Sequence, residues 1–324
     1  MKAVLCKAYG PPEDLVVEEV PSPKPGKNQV LITVKACGVN FPDTLIIQGK
    51  YQFKPPMPFS PGGEVAGIIK EVGEGIKHLK VGQKVFSMTG HGGFAEEVLG
   101  NAAGTFPIPD GMDFQTAAGF STTYGTSYHA LADRAKIQAG ETLLVLGAAG
   151  GVGLAAVDLG VQMGAKVIAA ASTDEKLALC KEFGAAETIN YQTENLKDRL
   201  KELTGGKGVD VVYDPVGGDF SEIALRRTAW EGRFLVIGFA IGEIPKIPLN
   251  LPLLKGNQIM GVFWGAFAAR DPKKNMANFM HMLQWYQQGK IRPHIHAAYP
   301  LENAAEAMNE MLNRKVKGKV ILVP

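Results

Sequence analysis

Residues 141–153 read Glu141-Thr-Leu-Leu-Val-Leu-Gly-Ala-Ala-Gly-Gly-Val-Gly153, an apolar run that ends in a glycine cluster and continues into a helical pattern. The apolar run fits a buried strand, and the residues after it keep a helical period. Gly151 and Gly153 lack a Cβ where the strand must turn sharply into the helix. The first N–H groups of a helix have no partner inside it, and the helix dipole adds positive potential at that end. Such a turn holds a pyrophosphate. Ala148, Gly150 or Gly151, and Gly153 form a variant of the dinucleotide fingerprint, with Gly147, Ala149, Gly150, Gly151, Val152 and Gly153 as candidate contacts. A glycine triplet alone describes any tight turn; the strand before it and the helix after it give this one its meaning.

Outward from this turn, strands are expected at 143–146, 166–171, 187–190, 209–213, 232–237 and 258–263. Helices are expected between them at 152–163, 174–183, 196–203 and 220–230. That alternation predicts right-handed crossovers and an α/β, doubly wound parallel sheet of the Rossmann type. Before about residue 116 the texture differs. Short β segments at 1–6, 16–19, 29–38, 64–72, 83–88 and 93–99 are separated by Pro and Gly clusters, which predicts a compact barrel-like domain with functional loops. From about residue 272 helices are expected near 275–288 and 302–312. The last strand, 318–323, lies too far from the sheet units to continue them and is expected to return to the first domain. There is no internal repeat and no low-complexity segment.

A chain of 324 residues is long enough for two cores. With 34 basic against 32 acidic residues, the net charge of +2 gives no reason to expect a nucleic-acid or membrane surface. Cys6, Cys37 and Cys180 are sparse and unevenly spaced, which favours a reducing, cytoplasmic setting over a disulfide framework. The N-terminal residues lack a long apolar core, so no signal peptide is expected. The most apolar segment, 143–163, has the length of a membrane span, but its five glycines and Asp158 favour a buried strand, turn and helix.

The end of the second strand of a dinucleotide fold selects between NAD and NADP, because an acidic side chain there binds the ribose 2′-hydroxyl. Here Ala171 stands at the strand end, Ser172 follows, and Lys176 lies just inside the next helix. Tyr191 follows the third strand and offers a phenolic donor. Together these suit a 2′-phosphate and hence NADP(H). The plainer alternative makes Lys176 a solvated helix residue and Ser172 an N-cap, and Asp174 leaves NAD open. Two further loops at the carboxyl ends of strands belong to the same crevice: Tyr213-Asp-Pro-Val-Gly-Gly218, with Gly217, and Ile237, Gly238 and Phe239.

Several stretches taken together resemble one family. They are Cys37-Gly-Val-Asn-Phe-Pro-Asp43, Gly49-Lys-Tyr51, Pro61-Gly-Gly-Glu-Val-Ala-Gly67, Val72-Gly-Glu-Gly75, Gly92-Gly-Phe-Ala-Glu96, the 148–153 turn and Asp214-Pro-Val-Gly-Gly218. Over essentially its whole length the chain resembles the medium-chain dehydrogenase/reductases, in particular their zinc-free quinone oxidoreductase (zeta-crystallin-like) branch. The resemblance implies a GroES-like β-barrel catalytic domain at 1–120 completed by 267–324, a Rossmann NADP-binding domain at 121–266, and an active cleft between them. At the positions where the zinc alcohol dehydrogenases carry catalytic ligands, this chain has Asn40, Gly63 and Ala118. The cysteine-rich lobe for a structural zinc is also missing. A catalytic zinc needs three protein ligands. Neither the cysteines nor the six histidines, at 78, 91, 129, 281, 294 and 296, offer that set, although His294 and His296 are close enough to share a strand face. No metal is expected.

Without a Lewis acid to form an alkoxide, alcohol oxidation is not expected. The resemblance therefore implies hydride transfer from NADPH to a quinone, or to an enone whose β-carbon is already electrophilic. It places Asn40 and Tyr51 beside the nicotinamide or substrate and Thr122 near the carboxamide. Asp43 belongs to the same group or only braces its loop, and Tyr51 is equally read as a packed lid. Phe239, Phe263 and Trp264 are candidates for an apolar wall, with core packing the default for any one of them. No residue stands out as an obligatory general acid. In the family two subunits commonly join through the last Rossmann strand, here 258–263, so a homodimer is expected, with a tetramer as the alternative. Two rival readings remain: an enoyl or acryloyl thioester or alkenal reductase, and a structural or RNA-binding protein. The near-zero charge disfavours RNA.

Overall fold

The computed structural model describes residues 1–324, which divide into two compact units, 1–122 with 293–324, and 123–292. The second unit holds a six-stranded sheet, parallel throughout, in the spatial order Glu187–Asn190, Lys166–Ala171, Thr142–Leu146, Val209–Asp214, Thr228–Val236, Gln258–Gly261. In chain order this is 3-2-1-4-5-6, the doubly wound arrangement. The order reverses between the first and fourth strands, so the loops after Leu146 and Asp214 open side by side. Leu143, Leu144 and Val145 are fully buried, as a strand covered on both faces requires. Helix Gly151–Gln162 follows the first strand, Asp174–Glu182 the second and Leu196–Leu203 the third. Asp158, buried in the first of these helices, accepts hydrogen bonds from Tyr124 Oη at 2.6 Å and Arg292 N at 2.8 Å. It thereby ties both ends of the unit's chain to one helix.

In the first unit a seven-stranded sheet runs Ile295–Pro300, Lys319–Val323, Gln29–Val39, Glu64–Val72, Lys84–Met88, Thr105–Pro107, with Glu97–Asn101 paired to the other side of Gln29–Val39. The final strand does return to this unit, pairing Val320, Ile321 and Leu322 antiparallel to Val39, Gly38 and Cys37. The core beneath it is built from Val30, Ile32, Val34, Val65, Ile69, Phe94, Val320 and Leu322.

Three expectations need correction, and one helix was not foreseen. The helix expected at 220–230 is Asp219–Arg226, and Thr228 already begins the next strand, paired to Val209. Buried Thr228 and exposed Trp230 are good strand formers, and the pairing outweighs a helical period that runs on past them. The strand expected at 93–99 is Glu97–Asn101; Phe94 and Ala95 instead meet Val4 and Ala3 by one backbone hydrogen bond and one isolated bridge. Residues 267–292 belong to the second unit and not to the first. Helix Pro272–Gln287 buries Phe279, Met282 and Leu283 there, and Lys274 and Asn278 bond the carboxylate of Asp133 at 2.9 and 2.8 Å. The helix Ser121–Tyr128, which runs into a π-helical segment at His129–Ala135, was not expected; its Ser, Thr and Tyr residues carry no apolar stripe.

Candidate active site

In the second unit, the loop after Leu146 is a turn that favours glycine at its first residue and needs it at its last. Gly147 has φ +57°, and a Cβ on Gly153 would lie 2.2 Å from the Gly147 carbonyl oxygen. The helix can therefore start directly against the strand end. Gly150 is its N-cap and no side chain caps it, whereas Thr173, Asn195 and Asp271 cap the helices that follow them. The helix that begins at Gly151 therefore starts without a capping side chain, the condition under which first-turn N–H groups are open to an anion.

Ser172 and Lys176 meet at the end of the neighbouring strand, where Lys176 Nζ donates to Ser172 Oγ at 3.3 Å. Thr173, not Ser172, is the N-cap of that helix, so the plainer reading of Ser172 is corrected. Asp174, the residue that left NAD open, accepts from Asn190 Nδ2 at 2.7 Å. Tyr191 N donates to Ala171 O at 3.1 Å, and the Tyr191 ring leans on Phe220 with centroids 4.7 Å apart. These groups fit the 2′-phosphate end of NADP(H).

The loop after the fourth strand is organised by Asp214. Its buried carboxylate accepts from Val216 N at 2.8 Å, Gly217 N at 3.0 Å and Ser221 Oγ at 2.5 Å, and burial pushes its carboxyl above the usual range. Asp214 O also accepts from Ile237 N and Gly238 N, at 2.9 and 3.3 Å, and so ties on the third loop. A Cβ on Gly147 would meet Val216 Cγ2 at 2.9 Å, and one on Gly217 would meet Phe239 at 3.0 Å. Gly147, Gly217, Ile237, Gly238 and Phe239 are therefore neighbours at the carboxyl edge of one sheet.

In the first unit a buried charged cluster surrounds Asn40. Lys319 Nζ donates to Asn40 Oδ1 at 2.7 Å, Glu64 Oε2 at 3.1 Å and Val39 O at 3.1 Å. Asn40 Nδ2 donates to Glu64 Oε2 at 3.0 Å and Gly38 O at 3.2 Å. The other carboxylate oxygen, Glu64 Oε1, accepts from Thr122 N at 2.9 Å. Asp43 accepts from Asn40 N at 2.7 Å and Gly62 N at 3.3 Å. Burial pushes the Asp43 carboxyl up to about 6, against the pull of those two N–H groups and of Lys319. Burial, with the Asp43 charge adding to it, also raises the Tyr51 phenol. No group of three or more His, Cys, Asp or Glu side chains is arranged to hold a metal ion.

Family comparisons agree with this geometry. The descriptions "Alcohol dehydrogenase GroES-like domain" and "Zinc-binding dehydrogenase" match residues 26–110 and 151–284. A quinone oxidoreductase-like protein 2 homolog of Nematostella vectensis is 42% identical over 99% of this chain and 88% of its own. A quinone oxidoreductase of Rattus norvegicus is 37% identical over 100% and 98%. The crystal structure of Escherichia coli quinone oxidoreductase complexed with NADPH superposes with a TM-score of 0.93 at 31% identity, covering all of both chains. The chain belongs to the zinc-free quinone oxidoreductase family of medium-chain dehydrogenase/reductases.

Within this family frame the site residues sort by what they touch. Asn40, Asp43 and Thr122 gather around Glu64 in the first unit, and Tyr51 packs against the same core. Each Asp43 oxygen accepts from a backbone N–H group, Asn40 N on one and Gly62 N on the other. Trp264 is corrected from an apolar wall to a core residue: it is 7% exposed, its Nε1 donates to Asn275 Oδ1 at 3.0 Å, and its ring lies where a Cβ on Gly125 would be. Phe263, at 58% exposure, remains available to a ligand or to another chain. Glu64 and Lys319 were not singled out from sequence. The available signal was a lysine leading the apolar strand Lys319-Val-Ile-Leu-Val323 and a glutamate leading Glu64-Val-Ala-Gly-Ile-Ile69.

Proposed function

We propose that this protein is an NADPH-dependent quinone oxidoreductase. The observation that carries the reading is the uncapped, glycine-lined helix start at 150–153 together with the Ser172–Lys176 pair, a cradle for a pyrophosphate with an ammonium and a hydroxyl for a 2′-phosphate. The NADPH-bound Escherichia coli relative supports it. Bound NADPH supplies a hydride from its nicotinamide ring, and reduction of a quinone to the hydroquinone takes that hydride and one proton. The second unit holds the nucleotide at the helix start, where Asp214 keeps the 214–218 and 237–239 loops in register; in the first unit the Asn40–Glu64–Thr122 cluster is a set of polar groups with fixed orientation. With Asn40, Gly63 and Ala118 at the ligand positions, the acceptor has to be electron-poor on its own account: a quinone, with an enone as the nearest relative in reactivity.

The same reading includes a cytoplasmic homodimer. The parallel strand Gln258–Gly261 is a sheet edge, and Leu249, Leu253, Leu254 and Phe263 near it are 78, 80, 69 and 58% exposed. An apolar edge of this kind is a template for a second copy. Light scattering of Leu253→Glu against wild type tests it, with a monomer expected for the variant. The three cysteines are buried and unpaired, which suits a reducing compartment. No helix is long and apolar enough to cross a membrane.

The deciding experiment is stopped-flow oxidation of NADPH and of NADH against 1,4-benzoquinone, 9,10-phenanthrenequinone, an alkenal and crotonyl-CoA. NADPH with a quinone is expected to be fastest. Preference for the thioester or the alkenal moves the protein to the double-bond reductases, and no turnover of any acceptor refutes an enzymatic role.

A further inference from the structure

The buried ion pair of Lys319 and Glu64 has an unusual setting. The two side chains are 5 and 1% exposed and lie 3.1 Å apart. An ammonium has three donors, and here all three are used: on Val39 O, Asn40 Oδ1 and Glu64 Oε2. Both hydrogens of the Asn40 amide are also used, on Gly38 O and Glu64 Oε2. Room for the ammonium comes from Gly38, where a Cβ would sit 3.0 Å from Lys319 Nζ and 2.2 Å from Ala118 O. A buried ion pair is a poor way to gain stability, because desolvating two charges offsets most of their attraction; well-packed apolar residues serve as well or better. The rest of the 319–323 strand is apolar, so the charge at its start calls for another reason.

We propose that Lys319 is a positioning residue of the hydride-transfer site, its ammonium holding the Asn40 amide, and through Glu64 the Thr122 backbone, in one orientation. The inference rests on the quinone reductase reading of that site. An asparagine amide is nearly symmetric in shape and flips at little steric cost. With a cation against one end and a carboxylate against the other, the flipped form would put N–H against N–H and oxygen against oxygen. Asn40 therefore presents one fixed donor and acceptor pattern. Glu64 carries the same constraint to Thr122 N, where the first unit's N-terminal segment ends. A fixed ammonium thus fulfils by charge and direction the task of rigid placement at positions 38–40 and 118–122.

The test compares Asn40→Ala, the paired variant Lys319→Met with Glu64→Gln, and the triple variant. Removing both charges together leaves neither partner of the ion pair uncompensated, while the new amide at position 64 turns an N–H toward Thr122 N or Asn40 Nδ2, so the paired variant is expected to melt somewhat lower but to keep the wild-type Kd for NADPH. Its kcat with the best acceptor is expected to fall on the order of 10²-fold, the effect of about 1 Å of misplacement, with little change in KM for NADPH. If Lys319 acts through Asn40, the triple variant loses no more kcat than Asn40→Ala alone. Wild-type kcat in the paired variant, or fully additive losses in the triple, overturns the proposal. Should the paired variant not fold, Asn40→Ala, which leaves the ion pair in place, decides: wild-type kcat there overturns it equally. A wild type that prefers an alkenal to every quinone refutes the functional reading instead, and the same cycle is then run with the alkenal.

Discussion

Two alanine substitutions three residues apart separate what the 147–153 turn does for the fold from what it does for a ligand. At Gly153 a Cβ would stand 2.2 Å from Gly147 O, 2.9 Å from Gly147 C and 3.0 Å from Ala148 Cα, all rigid backbone. Ordinary contact begins near 3.4 Å, so the helix would have to move about 1.2 Å from the strand end. Overpacking of that kind costs roughly 1–3 kcal/mol, and in a unit of this size each kcal/mol lowers Tm by about 2–4 °C. Gly150 differs. Its φ of −73° suits any residue, and a Cβ there meets only Gly147 O at 3.4 Å. Losing a glycine N-cap and reducing the freedom of the unfolded chain act in opposite directions, each by about 1 kcal/mol or less, so Tm should hardly move. The new methyl nevertheless meets nothing within 4 Å besides Gly147 O and its own chain neighbours, at the mouth of the uncapped helix. Calorimetric titration with NADPH should show Kd raised at least about tenfold in Gly150→Ala, equivalent to about 1.4 kcal/mol, with Tm unchanged. Gly153→Ala should lose both affinity and Tm. An unchanged NADPH Kd in Gly150→Ala would refute the placement of the pyrophosphate on this turn.

Ser172→Ala combined with Lys176→Ala should raise KM for NADPH by about tenfold or more while leaving KM for NADH nearly unchanged, since a charged hydrogen bond contributes about 1.5–3 kcal/mol; equal effects on both nucleotides remove the phosphate assignment. Asp214→Asn would turn a donor toward Val216 N, Gly217 N or Ser221 Oγ; a loss of about 1–3 kcal/mol in urea unfolding, with weaker NADPH binding, is expected. Asp43 gives a pH signature. Its carboxyl lies at about 6 in the folded chain against 3.8 ordinarily, so between those values the folded state binds its proton more tightly than the unfolded state. The stabilisation is present in full at low pH and is lost as pH rises through 6, by roughly 3 kcal/mol for a shift of 2.2 pH units. Urea titrations at pH 4 and pH 7 should therefore show the difference in stability between wild type and Asp43→Asn falling by about that amount; a difference independent of pH rules it out.

The second unit was legible because its signals are local. A buried strand, a glycine turn and an apolar helix follow one another within 25 residues of Glu141, and the same pattern recurs down the chain. Boundaries failed where tertiary pairing overrode a period, as at Thr228, or where a helix had no period to read, as at Ser121–Tyr128. The assignment of 267–292 failed for a different reason. Which unit a helix joins is decided by its partners, here Asp133, Trp264 and Tyr128, and none of those pairings leaves a trace in spacing. Trp264 illustrates the cost of judging an aromatic by its position after a strand: its indole is needed to fill the space above Gly125.

The charged cluster was the least legible part, and its parts explain why. Glu64 and Lys319 are 255 residues apart, and each heads an apolar strand where a charged residue is ordinarily taken as the solvated end. What makes them a pair is the antiparallel joining of 319–323 to 29–39, which carries Lys319 in beneath Asn40. The same joining bears on the residue type at position 40, the first of the ligand-equivalent positions, and at its neighbour Gly38. With an ammonium at this spot, a cysteine thiolate at 40 could not offer Glu64 a donor, as the Asn40 amide does. A side chain at 38 would close the space the ammonium fills. Asn40, Gly38 and Lys319 are therefore one choice made at three positions. A chain that lost Lys319 alone would be left with a buried, unpaired carboxylate at Glu64, and so would be worse off than one that had never acquired the pair.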